Sequence, residues 1–255
     1  MTDLPPLPDP RHGGGWPRLA PLGTDGILVS FADRLDDKAN RAALSFRAAA
    51  EDAGLAGLAE TATSLASAYL RFDPEVATPA RAAAAVRALL DARDWYASPL
   101  PQGRQLWRIP CVFGTALAPQ LAEAAAAAGL SPEAAIRSIA GTRLRVQTIG
   151  FAPGQPYLGE LPPEWDIPRQ TALTDRIPVG AVCVAIRQLV LFTVSTPTGW
   201  RHVGQTAFRT FRPGDAQPFV LRPGDEVEFT PIPAEAYAAL RDAGPDGGAT
   251  CEPLT

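Results

Sequence analysis

GAVCVAIRQLVLF, residues 180–192, indicates the fold of the second half of the chain most clearly. Two apolar runs of strand length, 181–186 and 189–194, are separated by Arg187-Gln188, which predicts a tight connection between paired strands. Other short strands are predicted at 107–112, 143–149, 200–204, 218–221 and 226–230. Short strands at regular spacing, with little room for crossover helices, predict a closed or nearly closed antiparallel barrel.

The first half of the chain has a different pattern, in which strands alternate with alanine-rich helices. A strand at 26–31 precedes a helix that begins at Asp36-Asp37 and ends near Asp52. A weaker, alternating strand at 64–72 is followed by a helix that begins at Thr78-Pro79 and ends near Asp94. We therefore expect a small α+β domain with its helices on one face of a sheet.

Prolines and a glycine separate these two patterns and predict a linker at 97–106. The expected organisation is then a disordered lead-in at 1–17, an α+β domain at 18–96, a barrel domain at 107–240 and a flexible tail at 241–255.

Composition excludes several classes of function. The chain has 255 residues and a net charge of −4, which argues against a surface for nucleic acid or anionic membrane. No apolar run is long enough to predict a membrane-spanning helix, and the first residues lack the pattern of a signal peptide. The three cysteines lack the spacing of a disulfide framework or a metal site. We therefore expect a cytoplasmic protein.

Residues 150–159, GFAPGQPYLG, are the first segment that could carry chemistry. Three glycines and two prolines in ten residues argue against a helix or a central strand. The segment would display Phe151, Gln155 and Tyr157 on a fixed path. It is either a binding loop or a rigid corner of the barrel.

Arg169 and Arg176 flank a second, proline-bounded segment. The planar fork of arginine binds carboxylate or phosphate groups in a bidentate manner. The alternative is that these side chains are solvated and pair with Asp166 and Asp175.

Residues 195–206 form a third segment, STPTGWRHVGQT, in which a Pro-x-Gly turn places Trp200 at the start of a strand. His202 is the one plausible histidine acid or base of this domain, although a rim position is the alternative. The sequence contains no P-loop, GxGxxG, GxSxG or HExxH motif. Asp215 and Asp225 lie in Pro-Gly-Asp segments typical of plain turns.

In this order, these segments resemble the KipI-type family, whose pattern runs approximately GF-PGFPYLG, PR, R-VPAGSV, SPGGW and IGRT. The matching segments are 151–159, 168–169, 176–182, 195–200 and 203–206, and LRPGDEVEF at 221–229 resembles the end of the family pattern. The resemblance extends over roughly residues 18–240.

The resemblance implies a ferredoxin-like α/β sandwich domain followed by a cyclophilin-like antiparallel β-barrel. Members are named as the B subunit of 5-oxoprolinase, as the first of the allophanate hydrolase subunits, or as KipI, an inhibitor of a histidine kinase, and the module also occurs in carboxyltransferase regions. The 5-oxoprolinase members act with a homologous barrel protein, the C subunit, and with a separate A subunit to open 5-oxoproline to glutamate, using ATP. We therefore expect half of a composite site for a small amide, ATP only in the assembled complex, and no tightly bound cofactor or metal.

The resemblance also implies the site residues. Arg169 and Arg176 would hold carboxylate or phosphoryl oxygens, and Gln188 and Gln205 would orient the amide. Tyr157 or the backbone amides of residues 150–159 would stabilise developing negative charge. The remaining candidates, all for substrate binding, are Phe151, Pro153, Gly154, Gln155, Pro156, Gly159, Pro178, Trp200 and Gly204.

Several positions depart from the family pattern, including the segment that is QTG in the family and Gln188-Leu189-Val190 here. Gln155 stands in place of phenylalanine, Gln205 and Thr174 in place of arginine, and Ile139 in place of histidine. The loss of several polar groups suggests a changed substrate or lost catalysis. The alternative functions are therefore a KipI-like regulatory protein that inhibits a histidine kinase and a subunit that processes allophanate or urea amides.

Overall fold

The computed structural model describes residues 15–254. The chain divides into two units between Pro101 and Gln102, a point inside the stretch predicted as a linker. The last two residues of that stretch already belong to a strand, which begins at Gln105. Most of the predicted disordered lead-in, residues 1–14, lies outside the described residues. Among the residues described, no helix is long and apolar enough to cross a membrane.

The first unit combines two helices with an antiparallel sheet. Its elements are β1 Arg18–Leu22, β2 Gly26–Ser30, α1 Asp37–Asp52, β3 Leu58–Ser64, β4 Ser67–Phe72 and α2 Pro79–Leu90. The sheet order is β1-β2-β4-β3. A ferredoxin-like domain has the element order β-α-β-β-α-β, whereas here the additional edge strand precedes the first helix. The ferredoxin-like designation is therefore not confirmed.

The helices of this unit begin where the sequence predicts. Asp36 accepts a hydrogen bond from the Ala39 amide at 2.9 Å, and Thr78 caps α2 ahead of a proline in the first turn. Such caps satisfy amide groups that have no partner within the helix. Helix α1 buries Phe46 in the same apolar core as Leu70 of β4. The sequence prediction missed strands β1 and β3.

The second unit is built around a barrel. Its elements are β5 Gln105–Phe113, α3 Leu121–Ala127, α4 Pro132–Ala140, β6 Leu144–Ile149, β7 Pro156–Gly159, β8 Thr174–Ile177, β9 Ala181–Ala185, β10 Gln188–Leu191, β11 Thr196–Thr198, β12 Arg201–Gln205, β13 Glu226–Pro231, α5 Ala236–Asp242 and β14 Thr250–Pro253. Seven strands close the barrel in the order β12-β9-β10-β7-β6-β13-β5, with β5 pairing back onto β12. Strands β13 and β5 are parallel, so the barrel is mixed rather than antiparallel as predicted. These two strands are far apart in sequence, and no hairpin forces them to be antiparallel.

Side chains from all seven barrel strands fill its interior, and α3 and α4 pack against the same core. The stretch 180–192 forms β9 and β10, as predicted. Its turn is Ile186-Arg187, one residue earlier than predicted, with φ values of 45° and 60°. Positive φ at both central residues is what a two-residue type I′ hairpin requires.

Three predictions for this unit were wrong. The tail at 241–255 is not flexible, because α5 extends to Asp242 and β14 pairs with β5, covering a sheet edge that would otherwise be open. Residues 218–221 are not a strand and contribute a single bridge, Phe211 to Phe219. Residues 156–159 are a central strand, β7, between β6 and β10. Pro156 is tolerated there because it occupies the first position of the strand.

Candidate functional site

A second apolar layer lies on the outside of the barrel, over β9, β10 and β12. It consists of Ile177, Ala181, Cys183, Ala185, Val190, Phe192 and Trp200, with Tyr157 packed against it. Along β9, these residues alternate with Val182 and Val184, which belong to the barrel interior. We call this outer surface the Trp200 face.

The structure brings three predicted site residues together on this face. The guanidinium carbon of Arg169 lies 5.1 Å from the ring centroid of Trp200. The Tyr157 ring also packs against Trp200, with centroids 6.2 Å apart and an angle of 74° between the rings. Trp200 is buried and Arg169 is exposed. This arrangement is a cation–π contact beside an edge-to-face aromatic pair.

A hydrogen-bond network that the sequence reasoning missed holds the Arg169 loop against Trp200. The backbone N–H of Gln170 donates to the Gly199 carbonyl at 2.7 Å, and the side-chain amide of Gln170 donates to the Trp200 carbonyl at 3.1 Å. Gln120 donates to the Gln170 side chain at 2.8 Å. The one signal in the sequence was that Gln170 directly follows Pro168-Arg169.

The segment at 150–159 is only partly exposed to solvent. Phe151 is 72% exposed and Pro153 is also exposed, but Gly154, Gln155 and Pro156 are buried. A Cβ atom added at Gly154 would lie 2.9 Å from Cβ of Phe211 and 3.0 Å from the carbonyl oxygen of Thr210. The close packing at Gly154 therefore fits the interpretation of this segment as a rigid corner of the barrel.

Gln155 is an unusual buried group. Its side chain is fully buried, and neither amide atom has a hydrogen-bond partner within residues 15–254. A buried polar group without partners costs free energy, which a water molecule or a ligand atom would recover.

The candidate glutamines Gln188 and Gln205 pair opposite Ala185 and Ala181 of the Trp200 face, and both form hydrogen bonds within the barrel unit. Gln188 donates to the Gln147 side chain at 2.7 Å. A Cβ atom at Gly159 would lie 2.5 Å from that same Gln147 side chain, so Gly159 leaves the space that Gln147 fills. Gln205 donates to the Val179 carbonyl at 2.9 Å. Both glutamine side chains therefore form hydrogen bonds that stabilise the barrel unit.

Gly204 and Pro178 are two further candidate residues. A Cβ atom at Gly204 would lie 2.6 Å from Sγ of Cys111, a residue of the barrel interior. Gly204 therefore has its Cα hydrogens directed at the core, and its role in substrate binding stays a prediction. Pro178 is exposed beside Ile177, at the end of β8.

The two arginines Arg169 and Arg176 are not paired with the neighbouring aspartates. Neither Arg169 nor Arg176 forms an ion pair with Asp166 or Asp175, although all four lie in the described part of the chain. Both side chains are exposed. The alternative interpretation, in which they are neutralised locally, is not what the structure shows.

His202 lies on the Trp200 face, because it pairs directly opposite Cys183 in β9. It is buried, and its Nε2 atom forms no hydrogen bond within residues 15–254. Burial lowers the pKa of His202, and the Gln205 side chain and the Gly204 backbone oppose that shift. His202 is therefore a neutral imidazole near neutral pH. Burial also raises the pKa of the Cys183 thiol, which makes it a poor nucleophile.

Comparison with known proteins identifies the class first. Residues 17–221 match the family described as the carboxyltransferase domain, subdomains C and D. This chain belongs to that family, and the resemblance found in its motifs is confirmed.

Its named relatives are B subunits of 5-oxoprolinase. The protein of Bacillus subtilis (strain 168) is 27% identical over 234 residues, which cover 88% of this chain and 97% of the relative. The protein of Escherichia coli O157:H7 is 37% identical over 131 residues, which cover 51% of this chain and 60% of that relative.

Solved structures agree. The crystal structure of TTHA0988 in space group P6522 superposes with a TM-score of 0.69 and 30% identity, over 82% of this chain and 40% of that one. The urea amidolyase of K. lactis has a TM-score of 0.73 at 15% identity, over 98% of this chain and 17% of the enzyme, and shares the fold. This chain therefore spans only part of each of these structures.

Proposed function

We propose that this chain is a subunit of a heteromeric, ATP-dependent 5-oxoprolinase-type amidohydrolase, in which it supplies half of a composite site. The names of the relatives support the assignment, and the Bacillus subtilis relative matches over nearly its whole length. The partners would be a homologous barrel protein of the C type and a further subunit of the A type. The cyclophilin-like designation of the barrel and a cytoplasmic location are parts of the same proposal.

The observation that carries the proposal is Arg169, an exposed arginine that forms no ion pair within residues 15–254 and lies over Trp200. 5-Oxoproline is a small ring with a carboxylate on one side and an amide in the ring. Arg169, held over Trp200, offers a cation beside an aromatic surface, and Arg176 offers a second cation on β8. Arg169 can bind the carboxylate while the ring lies against Tyr157.

Ring opening adds water across the amide bond. The water oxygen bonds to the carbonyl carbon, the bond from that carbon to nitrogen breaks, and the nitrogen leaves as an amine. Negative charge develops on the carbonyl oxygen, and the hydroxyl group of Tyr157 is the donor that we assign to it. Hydrolysis of ATP in the assembled complex would drive the reaction.

The test is reconstitution with the A-type and C-type subunits and measurement of glutamate formation. Arg169→Gln and Arg176→Gln should each lower kcat/KM for 5-oxoproline by about 10- to 100-fold, the effect of losing one charge-assisted hydrogen bond. Their melting temperatures should stay near that of the wild type, because both side chains are exposed. Arg137→Gln, at an exposed arginine of α4, is the matched control. Full activity in both site variants would contradict this function.

A further inference from the structure

A cavity of about 350 Å³ lies beside Trp107, near the beginning of β5. Gln105, Arg222, Asp225 and Phe219 also line it. It borders β5, whereas the Trp200 face lies over β9, β10 and β12. Its volume falls in the range of small-molecule sites. We call it the Trp107 cavity.

The carboxylate of Asp225 is the most unusual group in its wall. Asp225 is 3% exposed, and its two oxygens accept hydrogen bonds from the Gln105 and Arg222 amides, each at 2.9 Å. Burial raises the pKa of Asp225, although these amides and the nearby Trp107 indole oppose the shift. Each carboxylate oxygen can accept a second hydrogen bond, so Asp225 retains acceptor capacity toward the cavity.

A donor without a well-placed acceptor lies close to this carboxylate. Nε1 of Trp107 is buried and near enough to Asp225 to affect its pKa, but it completes no hydrogen bond of normal length and angle in the part of the chain that the structure describes. An unsatisfied buried N–H group costs about 1–3 kcal/mol. A ligand that offers an acceptor to Trp107 and a donor to Asp225 would satisfy both groups at once. An amide has such a pair of groups on adjacent atoms.

The wall also offers a cation and an aromatic ring. Arg222 is exposed and lies near enough to Asp225 for its charge to lower the pKa of that carboxylate, but it forms no salt bridge within residues 15–254. Arg212, in contrast, is neutralised by Asp246 at 2.8 Å. Phe219 is 51% exposed, an unusual exposure for an aromatic ring at a cavity. The cavity therefore combines one available cation with an apolar surface.

We propose that the Trp107 cavity is a second binding site, apart from the Trp200 face, for a small carboxylic acid that carries an amide. The amide carbonyl accepts from Trp107, the amide N–H donates to Asp225, the carboxylate binds Arg222, and the body of the ligand lies against Phe219. 5-Oxoproline belongs to this class, and the proposal rests on the proposed function only for that choice of probe.

The experiment is calorimetric titration of the purified full chain, without its partners. The probes are 5-oxoproline, 2-pyrrolidinone, which lacks the carboxylate, and cyclopentanecarboxylate, which lacks the amide. 5-Oxoproline should bind, and each analogue should bind at least about tenfold more weakly, because each loses one set of hydrogen bonds. Equal affinity for all three probes, or no binding of 5-oxoproline at all, would overturn the proposal.

Variants distinguish binding at the Trp107 cavity from binding at the Trp200 face. Arg222→Gln and Trp107→Phe, which keeps a ring and removes the N–H group, should each weaken 5-oxoproline binding about tenfold or more. Arg137→Gln should bind as the wild type does. If Arg169→Gln abolishes binding while Arg222→Gln and Trp107→Phe retain it, the ligand binds at the Trp200 face. That result would refute the Trp107 cavity and leave the proposed function standing.

Discussion

Gly154 offers a quantitative test of whether the loop at 150–159 is a rigid corner. Its φ is +66°, in the left-handed region, and the space for a Cβ atom is already occupied by residues 210–211. A non-glycine residue in the left-handed region costs about 1–2 kcal/mol. Crowding of a packed core costs about 1–3 kcal/mol more. Gly154→Ala should therefore lower the free energy of unfolding by about 2–5 kcal/mol, the sum of these two ranges.

Variants at two other glycines measure the conformational strain separately from the crowding. Gly129 has a φ of +69° and no atom within 4 Å of an added Cβ, so Gly129→Ala should cost only the conformational strain, about 1–2 kcal/mol. Gly150, in the same loop as Gly154, has neither positive φ nor a close neighbour. Gly150→Ala should change stability by less than about 0.5 kcal/mol.

The assay is urea denaturation of all three variants, with the transition of the second unit followed separately, because two units need not unfold together. For a unit of this size, each kcal/mol corresponds to a shift of about 2–4 °C in melting temperature. If Gly154→Ala were as stable as Gly150→Ala, the loop would not be packed as described, and the rigid-corner interpretation would be refuted.

Three further predictions follow from burial. Trp200→Ala should destabilise the chain by about 3–5 kcal/mol in denaturant titrations, because it empties a buried aromatic site. Because the pKa of His202 is lowered on folding, the unfolded chain binds this proton more tightly. The free energy of unfolding should therefore fall as pH decreases from 6.5 through the lowered pKa of His202. The variant His202→Gln should lose that part of the pH dependence. Cys251 is exposed whereas Cys111 and Cys183 are buried with raised pKa, so brief iodoacetamide treatment of the native chain should label Cys251 alone, as measured by mass spectrometry.

The sequence predicted elements whose signals are local. The caps at Asp36 and Thr78 determine where α1 and α2 begin, and the alternation along 180–192 determines the hairpin. Pairing partners are not local. The parallel contact of β13 with β5, and the addition of β14 to β5, depend on which strand edges remain free once the barrel has closed. A sequence pattern carries no direct record of that choice.

The candidate site likewise contains residues that the sequence predicted and residues that it did not. Tyr157, Arg169 and Trp200 were found through their motifs, and the structure places them in contact. Gln120 and Gln170 were missed because their role consists of hydrogen bonds between segments 50 residues apart. Gln188 and Gln205 were given catalytic roles from motif membership; in the fold they donate hydrogen bonds to Gln147 and to the Val179 carbonyl, and their catalytic roles stay predictions. Side-chain orientation on a barrel depends on strand register, which the motifs do not specify.

The proposed function makes this chain a necessary part of an enzyme. The most direct measurement is the rate of glutamate formation from 5-oxoproline and ATP by the A-type and C-type subunits from the same genome, with and without this chain. Activity should appear only when the chain is present, and the chain should elute with its C-type partner in size-exclusion chromatography. Equal glutamate formation in its absence would contradict the claim.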